Sequence, residues 1–237
     1  SVSDTLKLSS FLNLPARKLT ADQKQLISLG RGLVREDVAG VLMDEPLTVI
    51  DPDLKFRLRR NLKEINEQYK TTLVYVTHDQ NEAMTFADNI IVMDQGEIVQ
   101  VGLPKDLFER PKTTFVGYFI GSPAMNIFES EVSSDYSVKI NNIEIKTNSN
   151  LSKIKDKNVK LGIRSEFINV AEKEGQNTIK ASLTRVEDFG NFKLLTANMG
   201  DFVIKSKVNR EMPISNGDIN LYIPPEKCCV YINEKLI

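Results

Sequence analysis

The chain has 237 residues, enough for one large domain or two ordinary ones, and carries 31 Lys and Arg against 32 Asp and Glu, a formal charge of −1. That balance gives no electrostatic case for nucleic acid or an anionic membrane surface. No apolar run approaches the ~20 residues of a spanning helix, so a link to a membrane is expected to run through a partner.

The first half alternates helical and extended patterns. Residues 23–34 read as a helix through Leu26, Ile27, Leu29, Leu33 and Val34, and Val38–Met43 as a short buried strand. Residues 53–68 place Leu54, Leu58, Leu62 and Ile65 on one helical stripe, opened by Asp51-Pro52. Thr72–Thr77 is almost continuously apolar and suits a parallel strand buried on both faces. Asp79 with Glu82 resembles a capping box for the next helix. Strand and helix in alternation predict an α/β unit with a parallel sheet.

The texture then changes. Ile90–Met93 and Ile98–Val101 flank a glycine-containing turn, and short helices are predicted at 104–110 and 113–120. Beyond Ile127 only short extended segments follow, at 127–133, 136–147, 158–163, 179–187, 191–198, 201–206, 219–223 and 228–232. That spacing predicts a small all-β barrel or sandwich, with the boundary near Gly121-Ser-Pro123. The opening SVSDTLKLSS lacks the apolar core of a secretion signal, and the two cysteines, Cys228 and Cys229, point to a reduced cytoplasmic setting.

Asp44-Glu45 ends the apolar run VAGVLM, and His78, the one histidine, stands where TLVYVT runs out. In an open parallel sheet, ligands bind at the carboxyl ends of strands. One carboxylate there suits Mg²⁺, usually through water, and a second can orient or deprotonate an attacking water. A histidine reaching a terminal phosphate can position it and sense its loss. An Asp-Glu pair or a lone histidine more often serves the fold; the signal is the convergence of both on one sheet edge.

VLMDEP, LTVIDP, VYVTHDQNEAM, ADNIIVMDQGEIVQVGLP and FVGYFIGSPAMN, in that order and spacing, resemble the ATPase subunit of ABC importers of the carbohydrate and glycerol uptake type. The resemblance covers essentially the whole chain. It implies the C-terminal part of a RecA-like nucleotide-binding domain over 1–121, followed by an OB-like regulatory β domain over 122–237. LGIRSEF (161–167) and NGDINLYIPPEKCCVYI carry the second part of that resemblance. By the same resemblance Asp44 is the Walker B aspartate on the Mg²⁺ side, Glu45 the catalytic glutamate and His78 the switch histidine. Asp51 faces the partner subunit, and Leu19, Thr20, Ala21, Asp22 and Gln23 occupy the signature that meets the ATP of the opposite subunit. The implied cofactors are ATP and Mg²⁺. The implied partners are a second ATPase subunit, membrane permease subunits and an extracytoplasmic substrate-binding protein, with the chain peripheral at the cytoplasmic face.

Three departures from the family pattern stand out. No G-x-x-x-x-G-K-[ST] occurs, so the backbone cradle for phosphates is absent from these residues, as are the stacking aromatic and glutamine loop. A chain that begins at the end of the helical subdomain is the simplest account, and such a chain is expected to be inactive alone. The signature reads LTADQ where a serine and two glycines are common; Ala21 adds a Cβ, and Asp22 brings negative charge toward a phosphate. Finally, TVI in LTVIDP stands where a serine and asparagine are common, which predicts lost hydrogen bonds before Asp51.

The leading reading is therefore the energy-coupling ATPase of an importer for a sugar or polyol such as glycerol or glycerol phosphate. A second makes the chain a regulatory or dimerisation module whose β domain binds a small ligand or a signalling protein. A third, an ABC ATPase of DNA repair or translation, fits poorly with the near-neutral charge and the appended β domain.

Overall fold

The structure, a computed structural model, describes residues 2–35, 38–154 and 158–237. They cluster into two compact units, Ser1–Asp88 and Asn89–Ile237.

In the first unit a short helix, α1 (Val2–Thr5), precedes α2 (Ala21–Leu33), β1 (Gly40–Asp44), α3 (Pro52–Tyr69), β2 (Thr72–Val76) and α4 (Gln80–Phe86). The two strands pair in parallel, in register from Gly40 opposite Thr72 to Asp44 opposite Val76. The predicted stripe on α3 buries Leu58, Leu62 and Ile65, which pack with Leu26, Leu29 and Met43 or line the same side. α2 starts two residues earlier than the apolar periodicity alone predicts. Thr20 caps it, accepting from the Gln23 N–H, while the Gln23 side chain accepts from the Thr20 N–H. This reciprocal capping box satisfies two otherwise orphaned donors of the first turn.

The expectation that Thr72–Thr77 is buried on both faces is not met. Leu73 and Tyr75 pack into the core, but Val74 and Val76 are 45% and 53% exposed, and Leu42 on β1 is 81% exposed. Among the described residues this sheet has two strands with only one face covered. A two-stranded sheet is marginal on its own, and parallel sheets ordinarily carry layers on both faces.

The second unit opens with a hairpin of β3 (Ile90–Asp94) and β4 (Glu97–Gly102). Gln95 and Gly96 both take positive φ, +47° and +84°, as the tight hairpin turn requires. Helices α5 (Pro104–Glu109) and α6 (Thr114–Phe119) follow, and then two antiparallel sheets. One has β5 (Asn126–Ser134) at its centre, flanked by β6 (Ser137–Ile140) and then β7 (Ile143–Lys146) on one side. On the other side lie β8 (Asn158–Ile163), β14 (Cys229–Ile232) and β15 (Lys235–Leu236). The other sheet runs in the order β12 (Phe202–Asn209), β11 (Phe192–Met199), β10 (Thr178–Asp188), β13 (Asp218–Tyr222) and β9 (Asn169–Ala171). Phe128, Val138, Ile145 and Leu161 of the first sheet and Ile179, Leu195, Ile204 and Leu221 of the second share one apolar core. The stretch 136–147 read as a single strand is two, because Asn141 adopts φ +51° and turns the chain.

The compact units divide at Asp88, where the texture of the sequence changes and ahead of the boundary expected near Gly121-Ser-Pro123. Side chains of the β part explain why residues 89–121 pack with it. The fully buried Arg164 donates from Nε to the Phe108 carbonyl and from Nη1 to those of Gly117 and Ile120. The Tyr231 hydroxyl, also buried, donates to the Pro111 carbonyl.

Candidate functional site

Register sets the site. Asp44 and Val76 face each other as the last residues of β1 and β2, so Glu45 and His78 emerge from the same sheet edge. The Glu45 N–H donates to the Val76 carbonyl at 2.9 Å, extending the ladder one step beyond the strands. Glu45 then turns with φ +44°, a left-handed conformation that is uncommon outside glycine and is held at a cost of order 1 kcal/mol or more. The turn swings its carboxylate across to β2, where Oε1 lies 2.7 Å from His78 Nδ1. Asp44 is exposed at the strand end, one residue before this pair.

Both Glu45 oxygens are engaged, since the Thr48 hydroxyl donates to Oε2 at 3.0 Å. The loss of polar contacts predicted for the TVI stretch is therefore incomplete: Thr48 supplies a hydrogen bond to Glu45, while Val49 is exposed and Ile50 buried. The His78 hydrogen bond, then that from Thr48, holds the Glu45 carboxyl below its usual range, and the Glu45 hydrogen bond raises the His78 imidazole above its usual value. The Glu45 contribution to stability is present above its unfolded value of 4.5 and fades as pH falls through the lowered one. That of His78 is full below 6.5 and fades as pH rises through the raised one. The pair thus contributes most between those two values.

His78 is carried on a turn that is itself fixed. The Thr77 hydroxyl accepts from the Asp79 N–H at 3.0 Å and donates to Glu82 Oε2 at 3.0 Å. Asp79 caps α4, accepting from the N–H groups of Asn81 and Glu82. The Glu82 side chain, however, does not return to the cap as a capping box requires; it is 3% exposed and turned inward. There it accepts from the Tyr75 hydroxyl at 2.8 Å and lies 3.5 Å from Lys55 Nζ and 3.6 Å from Arg59 Nη1, both on α3. Burial and the nearby Glu82 carboxylate push the Tyr75 phenol well above its ordinary value.

Asp51 is exposed directly before α3, its carbonyl accepting from the Lys55 N–H at 2.8 Å. Thr20 to Gln23 form the cap and first turn of α2, with Leu19 immediately before. Asp22 folds back on its own helix end, where the Thr20 hydroxyl donates to its carboxylate and, as the largest cause, lowers its pKa. An anionic group is favoured in the first turn of a helix, so Asp22 fills with protein charge a position that otherwise attracts an external anion. α2 is tied to the Glu45 loop by the Gln25 amide, which donates to the Pro46 carbonyl at 3.0 Å.

The structure thus brings Glu45 and His78 into contact and sets Asp44 beside them. Thr48 and Thr77 support the site without having been singled out in the sequence, and Glu82, expected there only as half of a capping box, supports it from the interior instead. For Thr20 the T-x-x-Q spacing was a sufficient signal. Among the described residues no group of three or more His, Cys, Asp or Glu side chains converges as a metal site. One exposed strand-end carboxylate fits a Mg²⁺ ion that takes its remaining ligands from phosphate and water.

Residues 121–168 match the family model described as the MalK OB fold domain. The chain is 35% identical over 223 residues to the oligosaccharides import ATP-binding protein MsmX of Bacillus subtilis, a match covering 90% of this chain and 60% of that protein. It is 36% identical over 226 residues to the sn-glycerol-3-phosphate import ATP-binding protein UgpC of Yersinia enterocolitica, covering 93% and 62%. With the trehalose/maltose import ATP-binding protein MalK of Thermococcus litoralis the identity is 34% over 227 residues, covering 91% and 61%. The chain spans about three-fifths of the length of these curated relatives. By these matches the chain is a homologue of the sugar and glycerol-phosphate import ATP-binding proteins, related to them over nine-tenths or more of its own length.

Proposed function

We propose that the chain carries the γ-phosphate edge of an ATP-hydrolysing site in the energy-coupling subunit of an importer for a sugar or polyol such as glycerol or glycerol phosphate. The observation that carries this reading is the Glu45–His78 contact at the ends of two parallel strands, with Asp44 alongside. In this reading water is the nucleophile. Glu45, ionised and fixed by two hydrogen bonds, accepts its proton or aims it at the terminal phosphate. His78 contacts that phosphate and, through Glu45, ties its presence to the state of the base. Asp44 would hold Mg²⁺, which when bound would supply positive charge to the phosphate oxygens.

Thr20 to Gln23 would face the nucleotide of a second ATPase subunit and Asp51 the subunit boundary, so two half-sites close together. No helix among the described residues is long and apolar enough to cross a membrane. Coupling would then pass to permease subunits at the cytoplasmic face, fed by a substrate-binding protein. The bare sheet face of Leu42, Val74 and Val76 suits coverage by a further segment, and the relatives extend about two-fifths of their length beyond the matched region.

Residues 1–237 by themselves, without a phosphate-binding loop, are expected to release no phosphate from Mg·ATP above background. Supplying a segment with a G-x-x-x-x-G-K-[ST] loop, in the same polypeptide or from a partner, should bring turnover. Full turnover by the 237 residues alone would overturn this division of the site.

A further inference from the structure

Glu82 is a carboxylate buried to 3% exposure, which is costly unless charge and hydrogen bonds compensate it. Both forms of compensation are present, and they come from different elements. Oε2 accepts from Tyr75 on β2 and from Thr77 just beyond it, while Oε1 faces Lys55 and Arg59 on α3. The Thr77 hydroxyl is used twice, toward Glu82 and toward the Asp79 N–H, so it closes a ring around His78 from both neighbours in sequence. α3 in turn begins one residue after Asp51, and Lys55 lies in its first turn. Helix, strand end and turn are thereby joined at one buried anion.

We propose that Glu82 is a positioning residue for His78: through Thr77 it locks the 77–79 turn against α3 and so sets the imidazole on Glu45. The proposal rests on the reading that Glu45 and His78 act on a terminal phosphate. Without Glu82 the turn keeps its Asp79 cap but loses its attachment to α3. His78, 71% exposed and hydrogen-bonded through its ring to Glu45, is then free to swing away. A purely structural Glu82 would lower stability and leave the imidazole where it is.

His78 is the only histidine of the chain, so its ring nitrogens give unambiguous signals in a long-range ¹H–¹⁵N spectrum of the ¹⁵N-labelled protein at fixed pH. In the parent chain Nδ1 should report the hydrogen bond to Glu45. Thr77→Val removes the link without changing any charge, and should move Nδ1 toward the value of a free imidazole. Glu82→Gln should shift it in the same direction, and the double variant should move it no further than the larger single shift. An Nδ1 signal unchanged in folded Thr77→Val overturns the proposal, because any shift in Glu82→Gln is then a through-space charge effect. Should Glu82→Gln fail to fold, Thr77→Val alone decides. The readout needs no ATP turnover: a shift in a protein that proves inactive leaves the positioning role standing, and an unmoved imidazole in an active one removes only that role.

Discussion

Replacing Glu45 with glutamine is expected to lower ATP turnover by about 10²–10⁴-fold, the range a positioned general base contributes, while nucleotide still binds. The reasons are local. Glutamine matches the size of glutamate, so the Thr48 hydroxyl and the turn at φ +44° can persist. An amide, however, takes no proton from water and gives His78 no anionic partner. The same variant should let the imidazole titrate closer to its ordinary value of 6.5, since the Glu45 hydrogen bond is the largest cause of its raised pKa. Single-turnover phosphate release in a protein that joins this chain to a phosphate-binding loop measures the first effect, and an imidazole titration the second. Turnover within a factor of about 10 of the parent would remove Glu45 from the role of base.

Arg164→Ala should destabilise the second unit by about 2 kcal/mol or more, because it strands the buried Ile120 carbonyl and the half-buried Phe108 carbonyl at roughly 1–3 kcal/mol each, while the Gly117 carbonyl keeps the Met125 N–H. Against that stands the relief of no longer burying a charge, whose pKa burial lowers, with one guanidinium nitrogen lacking a hydrogen-bond partner. The carbonyls outweigh it: Phe108, Gly117 and Ile120 all direct theirs at this one side chain, which also lies 4.6 Å from the centre of the Phe108 ring. Lysine should not rescue the loss, since one ammonium lacks the planar fork that serves several acceptors and stacks on a ring. Gly121→Ala should act on the same contact more mildly, as its Cβ would fall 2.8 Å from Arg164 Nη1 at a φ of +101°. Hydrogen exchange of the β5 and β8 amides, followed by mass spectrometry, reports the change. Protection equal to the parent chain in Arg164→Ala would show that other contacts hold α5 and α6.

The regular elements were legible wherever a period was sustained. The α3 stripe, the β1–β2 pairing and the long strands of the β part all follow from spacing that one buried face imposes. Shorter features carried no such signal: β9 and β15 span three and two residues, and the break at Asn141 depends on one backbone angle. In the site, Glu45 and His78 were readable because both end apolar runs that become neighbouring parallel strands. The buried charges were not. Arg164 and Glu82 look like ordinary surface residues in the sequence, and only the tertiary placement of carbonyls, hydroxyls and cations around them makes burial affordable. Sequence also overstated the burial of Val74 and Val76, because an apolar run states what a strand can bury and not whether a second layer is there to cover it.

The terminal phosphate provides the sharpest test of the site. In a protein joining this chain to a phosphate-binding loop, Mg²⁺ with a non-hydrolysable ATP analogue should shift the His78 imidazole signals, identified by their loss in His78→Gln. Mg·ADP should leave them near the nucleotide-free position. Equal shifts with both nucleotides, or none with either, would contradict a site in which Glu45 and His78 stand at the γ-phosphate.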